Sequence, residues 1–343
     1  MLISLDIVNP DSDGDLSFLD KFIRSNGPAG IEGMFVFGKT TGHADLEDRS
    51  RHIAQAETTR LIQEIGGEQL SNRSWSIFST GCEGVASPIL VGMATRKHAF
   101  QADGGGQVGM MVGAARSAPI ADGERCTRAH VSIAADCVAE AMQMAGLTPA
   151  QVLLVLVKSP VRFSREGTGG KHAFSTGAAR GAAALGSGIA LGDVDPASLS
   201  DDPVLASPAY ATRTMAFSGT ENDHIEAIVF GRRDGGDPRW TITYAEMSDF
   251  MDVETLRSIE RPAGYEPMLV FYKAGIPADG RLRGRPTTVL NSELPPDKQL
   301  RSASSGLLAA IFGSMNTFIS GGAEHQGRDG SCFCAVLWQR VDA

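Results

Sequence analysis

Three lysines close apolar runs in this chain: Lys39 after Met34-Phe35-Val36-Phe37-Gly38, Lys158 after Val152-Leu153-Leu154-Val155-Leu156-Val157, and Lys273 after Met268-Leu269-Val270-Phe271-Tyr272. An arginine heading an Ala- or Ser-rich helical stretch follows each, at Arg51, Arg180 and Arg301. A glycine-rich turn then precedes another apolar run: Ser79-Thr80-Gly81-Cys82-Glu83, Phe217-Ser218-Gly219-Thr220-Glu221 and Ser320-Gly321-Gly322-Ala323-Glu324. Lysines gathered at one centre repel one another, and burial adds to this, so the neutral amine becomes available as a base. Such an amine can take the proton of a serine hydroxyl, as in Ser-Lys variants of the activated serine. Glycines after the serines let backbone N–H groups approach an oxyanion. Arginines hold carbonyl oxygens or an enolate-like anion with paired N–H bonds. The candidate catalytic residues are therefore Lys39, Lys158, Lys273, Ser79, Ser218 and Ser320. The candidate substrate-binding residues are Arg51, Arg180 and Arg301, with Ser79, Thr80, Ser218, Gly219, Ser320 and Gly321. The constellation suits a small, flat, carbonyl-rich acidic molecule.

Glu83, Glu221 and Glu324 are expected to neutralise cations or bind backbone amides rather than react. His325 has no counterpart in the other two turns and reads as support. His43, in the loop after Lys39, is a weaker candidate for substrate contact.

The elements that must position these groups recur in one order: strand with lysine, helix with arginine, turn with glutamate, strand. A threefold internal repeat follows, with units at 1–103, 107–234 and 239–343. Gly104-Gly105-Gly106 reads as a linker, and Arg233-Asp234-Gly235-Gly236-Asp237-Pro238 as a turn-rich boundary. Val108–Ile120 reads as a strand. His130–Ala145 reads as a helix, with Val131, Ala134, Ala135, Val138, Ala141 and Met142 on one face and Gly146 as its stop. Each unit mixes helices and strands, so the fold class is α+β with pseudo-threefold symmetry around one central site.

The chain has 343 residues and a net charge of -9, which argues against nucleic acid as partner, because phosphate binding needs a basic patch. No window approaches the roughly eighteen consecutive apolar residues of a membrane span. Met1–Pro10 has no basic stretch leading into an apolar run, and the five cysteines are odd in number, so a reduced, cytoplasmic protein is expected. Cys332 and Cys334 read as buried strand thiols rather than metal ligands. No strand leads into a Gly-x-Gly-x-x-Gly turn, so a nicotinamide oxidoreductase is not expected.

Several of these strings resemble the cyanuric acid hydrolase and barbiturase family of ring-opening amidohydrolases. They are Gly38-Lys39-Thr40-x-Gly42 with Ser50-Arg51, Val157-Lys158-x-Pro160, Ala184-Leu185-Gly186 with Ala190-Leu191-Gly192, Arg281-Leu282-Arg283-Gly284-Arg285, and Ser320-Gly321-Gly322-Ala323-Glu324-His325-Gln326-Gly327. The resemblance runs from about residue 30 to the C-terminus. It implies three similar units in a barrel-like body around a site of three Lys, three Arg and three Ser. It further implies hydrolysis of a ring amide without a redox cofactor, and a homotetramer. By the same resemblance Lys158 is the base and the nucleophile is the first serine of a Ser-Ser-Gly-x-Glu turn.

Here the chain departs from the family. Counting back from Glu221 puts Phe217 at the nucleophile's position, with Ser218 one residue later. Three outcomes are open: Ser218 turns inward and serves, Ser79 or Ser320 takes over with its own lysine, or the ring-opening reaction is lost and the chain binds a heterocycle or acts as a non-enzymatic subunit. A phenyl group in one of three sectors predicts a less symmetric substrate than cyanuric acid: a barbiturate-like pyrimidine, or another cyclic imide or lactam. The resemblance also implies a structural divalent metal near the third turn. Gly275 stands where its acidic ligand is expected, and Arg328 and Ser331 stand where the family has Pro and Gly, so no metal is expected. Arg328 is expected to supply the positive charge instead.

Overall fold

The computed structural model describes residues 1–42, 48–97, 108–161, 175–200, 206–286 and 295–341. His43 and the Gly104-Gly105-Gly106 segment lie outside the described residues.

Three four-stranded sheets carry the fold. The first holds β1 (Leu2–Val8), β2 (Gly33–Thr40), β3 (Ser74–Thr80) and β4 (Ile89–Arg96) in the order β1-β4-β2-β3. The second holds β5 (Val108–Pro119), β6 (Val152–Pro160), β7 (Thr214–Gly219) and β8 (His224–Asp234) in the order β5-β8-β6-β7. The third is built from β9 (Trp240–Met247), β10 (Tyr265–Ala274), β13 (Thr317–Gly321) and β14 (Cys332–Arg340), with a small hairpin of β11 (Arg281–Leu282) and β12 (Arg285–Pro286) inserted between β10 and β13. Its order, β9-β14-β10-β13, is the same one: first, fourth, second, third strand.

Helices occupy matching places. A first helix lies between the first two strands of each unit: α1 (Ser17–Ser25), α3 (Arg128–Ala145) and α5 (Val253–Ser258). A second crosses from the lysine strand to its parallel neighbour: α2 (Ser50–Ser71), α4 (Thr176–Leu191) and α6 (Pro296–Phe312). A parallel pair needs such a crossover. The local chemistry of α3 and α4 explains their ends. Thr127 and Ser175 accept hydrogen bonds from Ala129 and Ala178 N–H at the N-termini. Gly146 and Gly192 close the C-termini at φ 63° and 79°. The small residues of α4 permit close packing: a Cβ on Gly186 would meet the Val131 carbonyl at 2.5 Å.

Alternation along the strands separates two surfaces of each sheet. One surface of all three sheets meets in a shared core that includes Phe37, Leu156, Met215, Phe217, Phe271 and Phe318. The other surface packs under the helices, as Val157 and Ala216 do against Ala183 and Ala184 of α4. At one end of the core the units are tied through buried Asp237. Its carboxylate accepts from Ile3 N at 2.7 Å and from Arg239, and its backbone exchanges hydrogen bonds with Met110 at 2.9 and 3.0 Å. The lysines lie at the opposite end, since Ile3 pairs with Thr95 while Lys39 pairs with Ile89.

Two expectations shift. The serines read as turn residues are the ends of strands β3, β7 and β13, each parallel to a lysine strand. Arg51 is the second residue of its helix, but Arg180 and Arg301 sit a full turn further in. No helix among the described residues is long and apolar enough to cross a membrane.

Candidate active site

Strand register places each lysine opposite one residue of its parallel neighbour. Lys39 faces Ser79, Lys273 faces Ser320, and Lys158 faces Phe217. Lys39 and Lys273 continue the faces of Phe37 and Phe271, and Lys158 that of Leu156, so all three point to the common core. Lys39 Nζ lies 3.3 Å from Ser79 Oγ and also bonds the Thr80 carbonyl. Lys273 Nζ lies 3.1 Å from Ser320 Oγ and donates to the carbonyls of Ala216 and Gly321 at 2.8 and 3.4 Å. Lys158 Nζ reaches the carbonyls of Phe78 and Ser218 at 2.8 and 3.3 Å and forms a buried ion pair with Glu221.

Ser218 stands one residue past the in-register position, and β6 and β7 pair without a bulge from Val155 to Pro160. Its side chain therefore shares the helix-side face with Ala216, away from the lysines. Its Oγ is buried without a hydrogen-bond partner among the described residues, and only its carbonyl meets Lys158 and Arg51. Phe217 takes the central position, its ring 5.4 Å from that of Phe318 and 5.3 Å from Lys273 Nζ, measured between centroids and to the nitrogen.

The arginines and glutamates form a cycle. Arg51 of the first unit approaches Glu221 of the second, Nε to Oε2 at 3.4 Å. Arg180 of the second binds Glu324 of the third through two hydrogen bonds of 2.9 and 2.7 Å. Arg301 of the third binds Glu83 of the first at 2.7 and 2.5 Å, with Asp297 at 2.7 Å on its other side. Such paired N–H bonds are strong and directional. Sequence reasoning anticipated the neutralising role of the glutamates but not that each serves the neighbouring unit. It also missed Glu221 as the partner of Lys158.

Burial dominates the electrostatics. It pushes the Lys39 ammonium down to about 7, and Lys158 to about 8 despite the opposing pull of Glu221. Lys273 lies well below the ordinary lysine value because of burial, with Arg180 adding to it. Burial opposes ionisation of Glu324, yet Arg180 overrides it and holds the carboxyl at about 2. Burial raises the Cys82 thiol to about 11, which keeps it protonated and removes it as a rival nucleophile.

A Ser–His contact exists on the wrong surface. Ser159 Oγ lies 3.0 Å from His130 Nε2, on the face of β6 opposite Lys158, and His130 Nδ1 accepts from Cys126 N at 2.9 Å. Burial lowers that imidazole to about 4, so it is a neutral structural group. His325 Nδ1 bonds the Ala209 carbonyl at 2.7 Å, a supporting contact. Thr80, Gly219 and Gly321 contribute backbone at the strand ends, where the Thr80 and Gly321 carbonyls accept from lysines. Added Cβ atoms would meet Glu221 at 2.0 Å from Gly219 and Arg301 at 3.0 Å from Gly321.

The residues near the third turn do not fit a hard divalent cation, which needs several anionic oxygens. A Cβ on Gly275 would lie 2.0 Å from the Ser331 carbonyl, so the backbone already fills the place of a carboxylate there. Both oxygens of Glu324 are engaged by Arg180. Among the described residues no three His, Cys, Asp or Glu side chains gather as a metal site. Arg328 is directed instead at the Tyr210 hydroxyl, 3.3 Å away. Cys332 and Cys334 are buried on β14, and burial raises the Cys332 thiol to about 11.

Residues 5–339 match a protein family described as amidohydrolase ring-opening protein. A cyanuric acid amidohydrolase of Methylobacterium sp. (strain 4-46) is 31% identical over 371 aligned positions, covering 100% of this chain and 97% of that protein. A cyclic amide hydrolase of Azorhizobium caulinodans is 28% identical, covering 94% and 96%. The crystal structure of cyanuric acid hydrolase from A. caulinodans superposes with a TM-score of 0.88 at 28% identity, over 99% of both chains.

Proposed function

The chain belongs to the ring-opening amidohydrolase family, and from that premise we propose that it hydrolyses a ring amide of a small cyclic ureide, imide or lactam by Ser-Lys catalysis. The observation that carries this is the pair of in-register Lys–Ser contacts, 3.3 Å at Lys39–Ser79 and 3.1 Å at Lys273–Ser320, where three sheets meet. A buried amine with a lowered pKa beside a hydroxyl is an activated serine. The arginines, each braced by a carboxylate of the next unit, are placed to hold ring carbonyls. The units of this reading are 1–103, 107–234 and 239–343, supported by the shared strand order.

Phe217 supports a substrate less symmetric than cyanuric acid, because one of three sectors presents a ring where the others present hydroxyls. Barbituric acid is the first candidate. The test is a panel of barbituric acid, cyanuric acid and simple cyclic imides, followed by loss of ring absorbance and gain of one water in mass. Barbituric acid is expected to be opened faster than cyanuric acid, and cyanuric acid as the preferred substrate would overturn the substrate assignment.

A second reading has its own observation: Lys158 lacks an in-register hydroxyl and is tied to Glu221. It is a binding protein for a small heterocycle, and it would be supported by saturable binding without turnover on the same panel. The reading includes function without a divalent metal, so dialysis against a chelator is expected to leave turnover and thermal stability unchanged. It also includes a homo-oligomer, a tetramer by family resemblance, which light scattering of the purified chain would check.

A further inference from the structure

If the chain opens rings, one of its lysines must act as base, and the surroundings of the three differ. Lys158 has no hydroxyl in register and is held by the Glu221 carboxylate. A carboxylate at hydrogen-bond distance favours the ammonium, so Glu221 opposes the effect of burial and biases Lys158 toward its charged form. Lys39 lies 3.3 Å from Ser79 Oγ and donates to one carbonyl, that of Thr80; Glu83, which like Glu324 gives both oxygens to an arginine, favours its protonated form.

Lys273 is set differently. A neutral amine has two N–H donors and one lone pair. Lys273 Nζ has the Ala216 carbonyl at 2.8 Å, the Gly321 carbonyl at 3.4 Å and Ser320 Oγ at 3.1 Å. As a neutral amine it can donate to the two carbonyls and turn its lone pair to the Ser320 hydroxyl, which otherwise donates to the Gly321 carbonyl at 3.4 Å. No carboxylate among the described residues hydrogen-bonds this nitrogen, and the nearby Glu324 gives both oxygens to Arg180. The Phe217 ring closes the side from which the second unit would otherwise present a hydroxyl or water. Lys273 is also completely buried, and burial disfavours its charged form, with Arg180 adding to the effect and Glu324 opposing it.

We propose that Ser320 is the nucleophile of this chain and Lys273 its base, with the Phe217 ring bounding the pair on the side of the second unit. The inference rests on the ring-opening reading above. Ser320 Oγ attacks a ring carbonyl carbon, and an O–C bond forms as its proton passes to Lys273 Nζ. The ring C–N bond breaks, and the ammonium returns that proton to the departing nitrogen. Water then attacks the acyl carbon as the amine takes its proton; the C–O bond to Ser320 breaks, and the ammonium returns that proton to Ser320 Oγ, which restores the pair and frees the acid product. No oxidant, reductant or cofactor is needed.

The test uses a serine-reactive probe that does not depend on knowing the substrate. Diisopropyl fluorophosphate forms an O–P bond with an activated serine as P–F breaks and the base takes the proton. The purified full-length chain is treated at neutral pH and the adduct mapped by peptide mass spectrometry. The expected result is one adduct, on Ser320, still formed in Ser79→Ala and slowed about a hundredfold or more in Lys273→Met. An adduct on Ser79 or Ser218, labelling of Ser320 that persists in Lys273→Met, or no adduct at all would overturn the assignment. Barbituric acid turnover is measured in parallel on the same preparations. Label on Ser320 without turnover of any panel compound removes the ring-opening reading and leaves the activated pair standing. Turnover with the label on Ser79 keeps the reading and removes the pair.

Discussion

Phe217 is the residue at which this chain parts from a threefold plan, and its position is fixed by register rather than by spacing alone. It faces Lys158 in the place that Ser79 and Ser320 take opposite their own lysines. It also serves the core, where it packs edge-on against Phe318. Both roles can be tested in one substitution. Phe217→Ser gives Lys158 an in-register hydroxyl and a third hydroxyl sector. The expected outcome is that kcat/KM for cyanuric acid relative to barbituric acid rises about tenfold or more, by the usual cost of leaving a site's polar group unmatched. The same change deletes a buried ring, so stability should fall by roughly 3–5 kcal/mol in denaturant unfolding. An unchanged substrate ratio with the expected stability loss would show that Phe217 is only a core residue.

At the scale of elements, the lysine strands were legible because each is a short apolar run with a single polar stop. The α3 helix was legible because its apolar positions share a face and Gly146 ends it. The strand that carries each serine was not: Ser79 and Ser320 follow runs too short to separate from the glycine turn after them. β1 and α1 were missed as well, since Leu2–Val8 mixes Ser and Asp with its apolar residues and neither element carries a repeated polar marker. Glycine use inside helices was only partly readable, because the sequence does not tell a tight contact from an open one. Gly186 of α4 lies against α3, where a Cβ would be 2.5 Å from the Val131 carbonyl, whereas Gly306 of α6 is exposed with nothing within 4 Å. Gly186→Ala should therefore destabilise by about 1–3 kcal/mol through forced separation of the helices. Gly306→Ala should stabilise by roughly 0.5–1 kcal/mol, from helix propensity alone. Chemical denaturation of the two variants checks the pair, and equal signs would contradict the packing described for α4.

Across the whole molecule, the three units are joined at both ends of their common core. At one end Asp237 ties Ile3 and Met110 together; at the other the arginine of each unit grips the glutamate of the next. The cyclic order of these grips could not be read from the sequence, because every Arg has a Glu of its own unit nearer in the chain. Closure by ion pairs makes the assembly of units sensitive to acid, and the sign follows from the Glu324 carboxyl. Burial works against its charge, but Arg180 prevails and holds it at about 2, below its ordinary 4.5. A carboxyl whose folded value is depressed adds stability that is fully present above the unfolded value and is lost as pH falls toward the folded one. The link between the second and third units should therefore weaken between pH 4.5 and about 2. Because Glu324 is partly exposed, solvent screening keeps the effect modest. Glu324→Gln should lower stability at neutral pH and flatten its decline over that acid interval, as read by urea unfolding at several pH values. If the variant instead loses stability in acid as steeply as the parent chain, the Arg180–Glu324 grip does not govern the acid response, and the other two grips become the place to look.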